Sequence, residues 1–185
     1  VTGNLTINKA ALNLSGYSGS RTYGDGNGTI TYSGTLNGLK FAEDAVNVSG
    51  NVTDSSITNR SNATSYSGVL QGTLSGASAG NYTLAAPVTG DLTINKALLS
   101  IAGYGGSRTY GDDNSTINYS GTLSGQKFAD DDVTYSAAVD GTVTNRSNAG
   151  THSNVLTATL TGSSVGNYTL SPTGTPLTGD LTINK

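Results

Sequence analysis

The chain has 185 residues, with 9 Lys and Arg against 12 Asp and Glu, a net charge of −3, 26 Gly, 10 Tyr, 2 Phe, and neither Cys nor Trp. So thin a scatter of basic residues excludes the cationic stripe that a nucleic acid or an anionic membrane surface requires, and the lack of cysteine excludes disulfides and thiolate chemistry. The small net charge argues for a folded chain rather than a disordered one, and no apolar run is long enough to span a membrane as a helix.

Short alternating runs dominate. In chain order they are Leu5-x-Ile7, Leu12-x-Leu14, Ile30-x-Tyr32, Val46-x-Val48, Leu70-x-x-x-Leu74, Tyr82-x-Leu84 and Leu92-x-Ile94, separated by Thr, Ser or Asn. A period of two is that of a half-buried strand. Clusters such as Gly24-Asp-Gly-Asn-Gly28 and Ser75-Gly-Ala-Ser-Ala-Gly80 supply the turn residues between runs. One window, Lys40-Phe-Ala-Glu-Asp-Ala45, admits a single helical turn. The spacing predicts an all-β chain of tandem immunoglobulin-like β-sandwiches. A β-grasp-like sheet carrying a short helix near Phe41 or Phe128 meets the same pattern.

The chain also reads itself twice. Leu5-Thr-Ile-Asn-Lys9 returns as Leu92-Thr-Ile-Asn-Lys96 and as Leu181-Thr-Ile-Asn-Lys185, a period of about ninety residues. Arg21-Thr-Tyr-Gly-Asp25 matches Arg108-Thr-Tyr-Gly-Asp112, Thr58-Asn-Arg-Ser-Asn-Ala63 matches Thr144-Asn-Arg-Ser-Asn-Ala149, and Gly80-Asn-Tyr-Thr-Leu84 matches Gly166-Asn-Tyr-Thr-Leu170. The expected division is a boundary strand of a preceding repeat over 1–9, one β-repeat over 10–96 and a second over 97–185, with a tolerant loop near residues 173–176. The chain reads as an excerpt of an array, beginning and stopping on the same strand, without a signal-peptide pattern at its start.

The apolar phase changes at the repeat boundary. Leu92 and Ile94 are even, Leu99 and Ile101 odd, and the same slip separates Leu5 and Ile7 from Leu12 and Leu14. A one-residue change of phase turns a side chain to the other face, so one strand runs through Asn95, Lys96 and Ala97 into the next domain and changes cores as it passes. With no Gly/Ser or Pro linker, the joint is expected to be short and stiff, and the product an elongated monomeric rod. Each repeat would add something over ~30 Å of reach.

The Tyr-Gly-Asp of Arg21–Asp25, the Gly80–Leu84 run and the closing Gly90-Asp-Leu-Thr-Ile-Asn-Lys-Ala97 resemble the mostly-β, glycine-rich (MBG) and YDG-type tandem repeats of large bacterial surface adhesins, filamentous haemagglutinin-like proteins among them. The resemblance covers both copies. It implies a secreted, cell-surface stalk module without enzymatic activity, serving adhesion or biofilm formation, whose partners are the neighbouring repeats of the same chain.

Candidate sites follow from residue type. His152 is the only histidine, and its counterpart is Tyr66, so a general base would exist in one copy only. Asp25 and Asn27 in the first copy, and Asp112, Asp113 and Asn114 in the second, offer clustered oxygen ligands of the kind calcium takes, beside the acidic runs Glu43-Asp44 and Asp130–Asp132. Asp and Asn equally serve turns, and the spacing completes no calcium loop. Asn-x-Ser/Thr triplets stand at Asn4, Asn51, Asn62, Asn81, Asn114 and Asn167. Tyr17, Tyr23, Tyr32 and their partners Tyr104, Tyr110 and Tyr119 present either a glycan-stacking platform for a host or matrix partner or, in a chain with 2 Phe and no Trp, the large residues of the core. Lys9, Lys40, Lys96 and Lys127 are the candidates for an isopeptide crosslink.

Overall fold

The computed structural model describes residues 1–171 and 177–185, so the expected loop at residues 173–176 lies outside the described residues. The chain divides into two compact units, Val1–Asn95 and Lys96–Lys185. Unit 1 holds β1 (Ala10–Thr22), β2 (Thr31–Asn37), β3 (Asn47–Val52), β4 (Ser65–Ser75), β5 (Tyr82–Leu84) and β6 (Thr89–Asn95). Unit 2 repeats the set as β7 (Ala97–Thr109), β8 (Asn118–Ser124), β9 (Thr134–Val139), β10 (Gly150–Thr161), β11 (Tyr168–Leu170) and β12 (Leu177–Asn184). The all-β class stands. Where a short helix was the alternative, Asp44 N–H donates to Phe41 O (3.3 Å) and Asp131 N–H to Phe128 O (3.2 Å), each closing one turn that does not propagate.

In unit 1 the strands form one curled, mixed sheet in the order β2-β1-β6-β4-β3. The last strand is central: β6 runs parallel to β1 and antiparallel to β4. The long β1 also takes β5 in parallel along Ala10–Leu12 and β2 antiparallel on its other edge. Unit 2 builds the same order from β8, β7, β12, β10 and β9, with β11 parallel to β7.

Alternation explains which residues are inside. Along β6 Gly90, Leu92 and Ile94 are buried with exposed residues between them, and along β7 Ala97, Leu99 and Ile101 are. β6 ends at Asn95 and β7 begins at Ala97, leaving Lys96 alone outside strand structure between them. In unit 2, Leu156, Leu181 and Ile183 from the central strands join Ile117 and Val143 in one apolar cluster. Burial of each such side chain contributes about 1.5–3 kcal/mol.

The third copy of the closing sequence behaves differently. Residues 1–9 carry no strand and are exposed throughout, with Leu5 at 87% and Ile7 at 86%, whereas their equivalents Leu92 and Ile94 stand at 0% and 2%.

Candidate functional site

The recurring motifs converge on three polar clusters in unit 1, the first and third of which recur in unit 2, and a bulge in the first strand positions the first of them. Between Ser15 and Ser18 β1 carries one extra residue relative to β2, with Gly16 at φ +63°. Leu12, an even position, faces in before the bulge, and Tyr17, Gly19 and Arg21, all odd, face in after it. The unbulged alternation would have turned Arg21 to solvent. β7 repeats the device at Gly103 (φ +65°), which turns Arg108 inward.

Arg21 and Arg108 are each only 4% exposed. The Thr22–Asp25 turn, closed by Asp25 N–H to Thr22 O (3.1 Å), and the single 3-10 turn Asn27–Thr29 bring Asn27 back over the guanidinium. Arg21 Nε donates to Asn27 Oδ1 (3.1 Å), NH1 to Thr22 O (3.3 Å) and NH2 to Thr58 O (2.6 Å). Asn27 Nδ2 in turn donates to Ile57 O (2.8 Å), and Gly24 N–H to Asn59 O (3.1 Å). Arg108 makes the same set with Asn114 (3.2 Å), Thr109 (3.1 Å) and Thr144 (2.6 Å), and Asn114 donates to Val143 O (2.7 Å). Burial lowers the Arg21 pKa from its ordinary value while Asp25 and Tyr66 raise it. A guanidinium stays charged through such a shift, so this is a permanent cation clamping two loops by charge-assisted hydrogen bonds.

The second cluster surrounds the tyrosine after the bulge. Tyr17 Oη lies 3.2 Å from Ser49 O and 3.3 Å from Gln71 O, so its proton sits between carbonyls of β3 and β4, strands that only the sheet's curl brings to β1. The ring stacks on Tyr32, with centroids 6.1 Å apart. A Cβ at Gly50 would stand 1.8 Å from Tyr17 Oη, and one at Gly90 would stand 2.4 Å from Tyr17 O. Burial, with Tyr32 adding to it, pushes the Tyr17 pKa up to about 12.

The third cluster holds the loop after β2. Tyr82 Oη accepts from Lys40 N–H (2.9 Å) and donates to the Asp44 carboxylate, and Tyr168 does the same with Lys127 N–H (2.9 Å) and Asp131. The hydrogen bond to Asp44 raises the Tyr82 pKa, as does desolvation. At the closing strand, Asp91 Oδ1 accepts from Gly68 N–H (2.8 Å) and Ser67 Oγ (2.9 Å), bonds that hold its pKa below the ordinary carboxylate value and fix the bulge in β4. Asp180 Oδ1 serves the bulge in β10 through Asn154 N–H (2.9 Å), with Asn154 at φ +58°.

The candidate ligands are placed by these clusters. Asn27 and Asn114 direct their carbonyl oxygens at a guanidinium, Asp25 and Asp112 occupy tight turns, and the exposed Asp113 precedes the 3-10 turn Asn114–Thr116. Among the described residues no three His, Cys, Asp or Glu side chains assemble in a metal-holding group. Asp132 Oδ2 accepts from Ser163 N–H (2.8 Å) and Ser163 Oγ (2.9 Å). His152 Nε2 lies 2.9 Å from Asn148 O, the bond that Tyr66 Oη makes to Asn62 O (3.1 Å) in the first copy. Of the triplet asparagines, Asn114 is engaged by Arg108 and Asn167 is buried. Tyr17 and Tyr23 are buried, Tyr32, Tyr104 and Tyr119 half-buried, and Tyr110 exposed, so the equivalent tyrosines form no common exposed platform. Lys9, Lys40, Lys96 and Lys127 are all exposed, and of the joint residues Asn95 and Lys96 are exposed and Ala97 buried. An open groove of about 530 Å³ lies along Lys9, Lys40, Phe41, Asp44 and Tyr82 in unit 1.

Arg21 and Arg108, the glycines around Tyr17, and the bulge-capping Asp91 and Asp180 escape a reading for catalytic or metal motifs. Their signal was the spacing: an Arg six residues before an Asn in both copies, and a Gly-Asp pair within each closing strand. No family model, curated protein or solved structure matches the chain.

Proposed function

We propose that this chain is a non-enzymatic spacer: two stalk repeats of a bacterial cell-surface adhesin of the MBG/YDG type, secreted to the surface, projecting a distal binding region in the service of adhesion or biofilm formation. The observation that carries the reading is the joint. Two units of the same strand order follow one another with Lys96 alone between the central strand of the first and the long first strand of the second. A spacer needs a repeating unit and a connection that resists bending, and a one-residue passage between strands offers little freedom.

The recurrent polar residues support the same reading by what they are spent on. Arg21, Asn27, Asp44, Tyr82 and Asp91 all bond to the protein's own backbone or to one another. Such residues hold loops to the sheet. The finer expectations of the sequence, immunoglobulin-like sandwiches arranged as a rod, belong to this proposal.

Small-angle scattering tests it. A single compact particle of this length has a radius of gyration of about 16 Å, and two units placed end to end, each about 12 Å in radius of gyration, give about 20 Å or more. The rod predicts the larger value at every protein concentration, with no change when calcium is removed. A value near the compact one overturns the spacer reading.

A further inference from the structure

Asparagine followed by glycine occurs twice in the chain, at Asn27-Gly28 and Asn37-Gly38, both in unit 1. Such a pair carries its own chemistry. Glycine has no Cβ to obstruct its backbone nitrogen, which can attack the side-chain carbonyl of the asparagine before it. We propose that Asn37 is a modification site at which this reaction proceeds without an enzyme, giving aspartate and isoaspartate, and that the arginine clamp withholds Asn27 from it. The reaction needs only the fold of unit 1 and does not depend on the spacer reading.

The two sites differ in how the amide is held. Asn27 lies in the 3-10 turn Asn27–Thr29, where its Oδ1 accepts from Arg21 Nε (3.1 Å) and its Nδ2 donates to Ile57 O (2.8 Å). Turning its Cγ onto Gly28 N breaks both bonds and leaves the buried guanidinium short of an acceptor. Asn37 is the last residue of the edge strand β2, is exposed, and makes no side-chain hydrogen bond among the described residues. Gly38 follows at φ +105°, and a Cβ there would stand 3.1 Å from Ala11 O, so the fold itself keeps a glycine after Asn37. Unit 2 needs the same glycine: Gly125 has φ +99°, and its Cβ would stand 2.6 Å from Leu98 O. Before it, however, stands Ser124, whose Oγ lies 2.9 Å from Ser100 Oγ. The reaction therefore belongs to unit 1.

The steps balance with water as the only co-reactant. Gly38 N forms a bond to Asn37 Cγ, the Cγ–Nδ2 bond breaks, and ammonia leaves with the proton that Gly38 N gave up. Water then opens the cyclic imide. Cleavage at Cγ restores the main chain with an aspartate, and cleavage at the main-chain carbonyl routes the chain through Cβ and Cγ as isoaspartate. Either product puts a carboxylate on β2, whose seven residues carry no charge, and a charge on an edge strand guards it against pairing with another chain. Isoaspartate also lengthens the main chain by one carbon where Asn37 pairs with Asn13, just ahead of the loop that Tyr82 holds.

Ageing the full chain in mildly alkaline buffer tests the assignment, beside an Asn37→Ser chain, which carries the residue unit 2 uses, and a synthetic peptide of residues 31–42 as the unfolded reference. Peptide mass mapping of the folded chain should find the amide converted to acid at residue 37, in both isomers. Conversion at residue 27 should be slower by about tenfold or more, since that site reacts only through local opening. In urea the two sites should convert at similar rates, which assigns the difference to the fold. Ion exchange should show a growing acidic form of the unaltered chain and none of Asn37→Ser. A folded chain intact at residue 37 after the peptide has fully converted overturns the assignment, as does an equal acidic form in Asn37→Ser. Conversion of residue 27 as fast as residue 37 in the folded chain overturns the protection by the clamp.

Discussion

The two units share a strand order and differ in how they seat one tyrosine. In unit 1 Tyr17 lies against Gly50 on β3, Gly72 on β4 and Gly90 on β6, with its hydroxyl on the carbonyls of Ser49 and Gln71. In unit 2 the equivalent positions are Ala137, Ala158 and Gly179, and Val48 is replaced by Tyr135. An alanine at the Gly50 position excludes a hydroxyl 1.8 Å away. Tyr104 instead meets Tyr135 edge to face, with centroids 5.8 Å apart, and its hydroxyl is buried with no hydrogen-bond partner among the described residues. Tyr135 reaches across to Gly121 O (3.1 Å), joining β9 to β8. One sheet thus accepts either small residues under a bonded tyrosine or methyls beneath an aromatic pair. What the copies hold in common is the arginine clamp and the bulges.

The clamp should be the most costly element to remove, and equally so in both units. Arg21→Ala or Arg108→Ala strands buried acceptors on two loops and should cost about 4 kcal/mol, read as faster amide exchange confined to the mutated unit. A large loss in one unit with none in the other would break the equivalence. Next in size, Gly50→Ala in unit 1 should cost about 3 kcal/mol by overpacking and by evicting the Tyr17 hydroxyl. The same change in a Tyr17→Phe background should cost markedly less, and a double-mutant cycle without coupling would remove the hydroxyl from the account.

The tyrosines themselves should respond with opposite signs. Tyr17→Phe gives up a bonded hydroxyl and should destabilise unit 1 by about 1 kcal/mol, whereas Tyr104→Phe discards a buried unpaired one and should leave unit 2 unchanged or more stable by up to about 1 kcal/mol. Denaturant midpoints moving in the same direction would contradict the difference drawn between the two seats. The smallest effect is acid sensitivity. Hydrogen bonds from Ser163 hold the Asp132 pKa below its ordinary value, and the first copy has Ala45 there. The stabilisation is therefore whole above about pH 4 and is lost as pH falls through the folded pKa. Asp132→Asn should flatten that part of the pH dependence in unit 2 and leave unit 1 as it was.

Much of the fold was legible because the pattern has period two. Leu92 and Ile94, and Leu99 and Ile101, fall on the buried faces their phases dictate, and Lys96 stands where the phase changes. The glycine clusters mark turns, as at Gly24 and Gly111. What alternation could not reveal was Arg21, because the bulge at Gly16 reverses the parity halfway along β1 and turns a charged residue inward. Nor does a list of oxygen-bearing side chains show that Asn27 and Asn114 face an arginine, since the clamp closes between segments thirty or more residues apart, as from Arg21 to Thr58. The sheet order was out of reach for a related reason. Residues at the two ends of a repeat meet as parallel neighbours, and sequence spacing carries no mark of a long-range pairing of that kind.

The proposed spacer requires a stiff joint between like units, and an interspin distance tests that proposal directly. The chain has no cysteine, so Thr73→Cys and Thr159→Cys, equivalent exposed positions on β4 and β10, accept nitroxide labels without competition. Pulsed electron double resonance should give one narrow distance peak above about 30 Å, and inserting Gly-Ser-Gly-Ser after Lys96 should broaden it. A broad or short distance distribution in the unaltered joint would contradict the account.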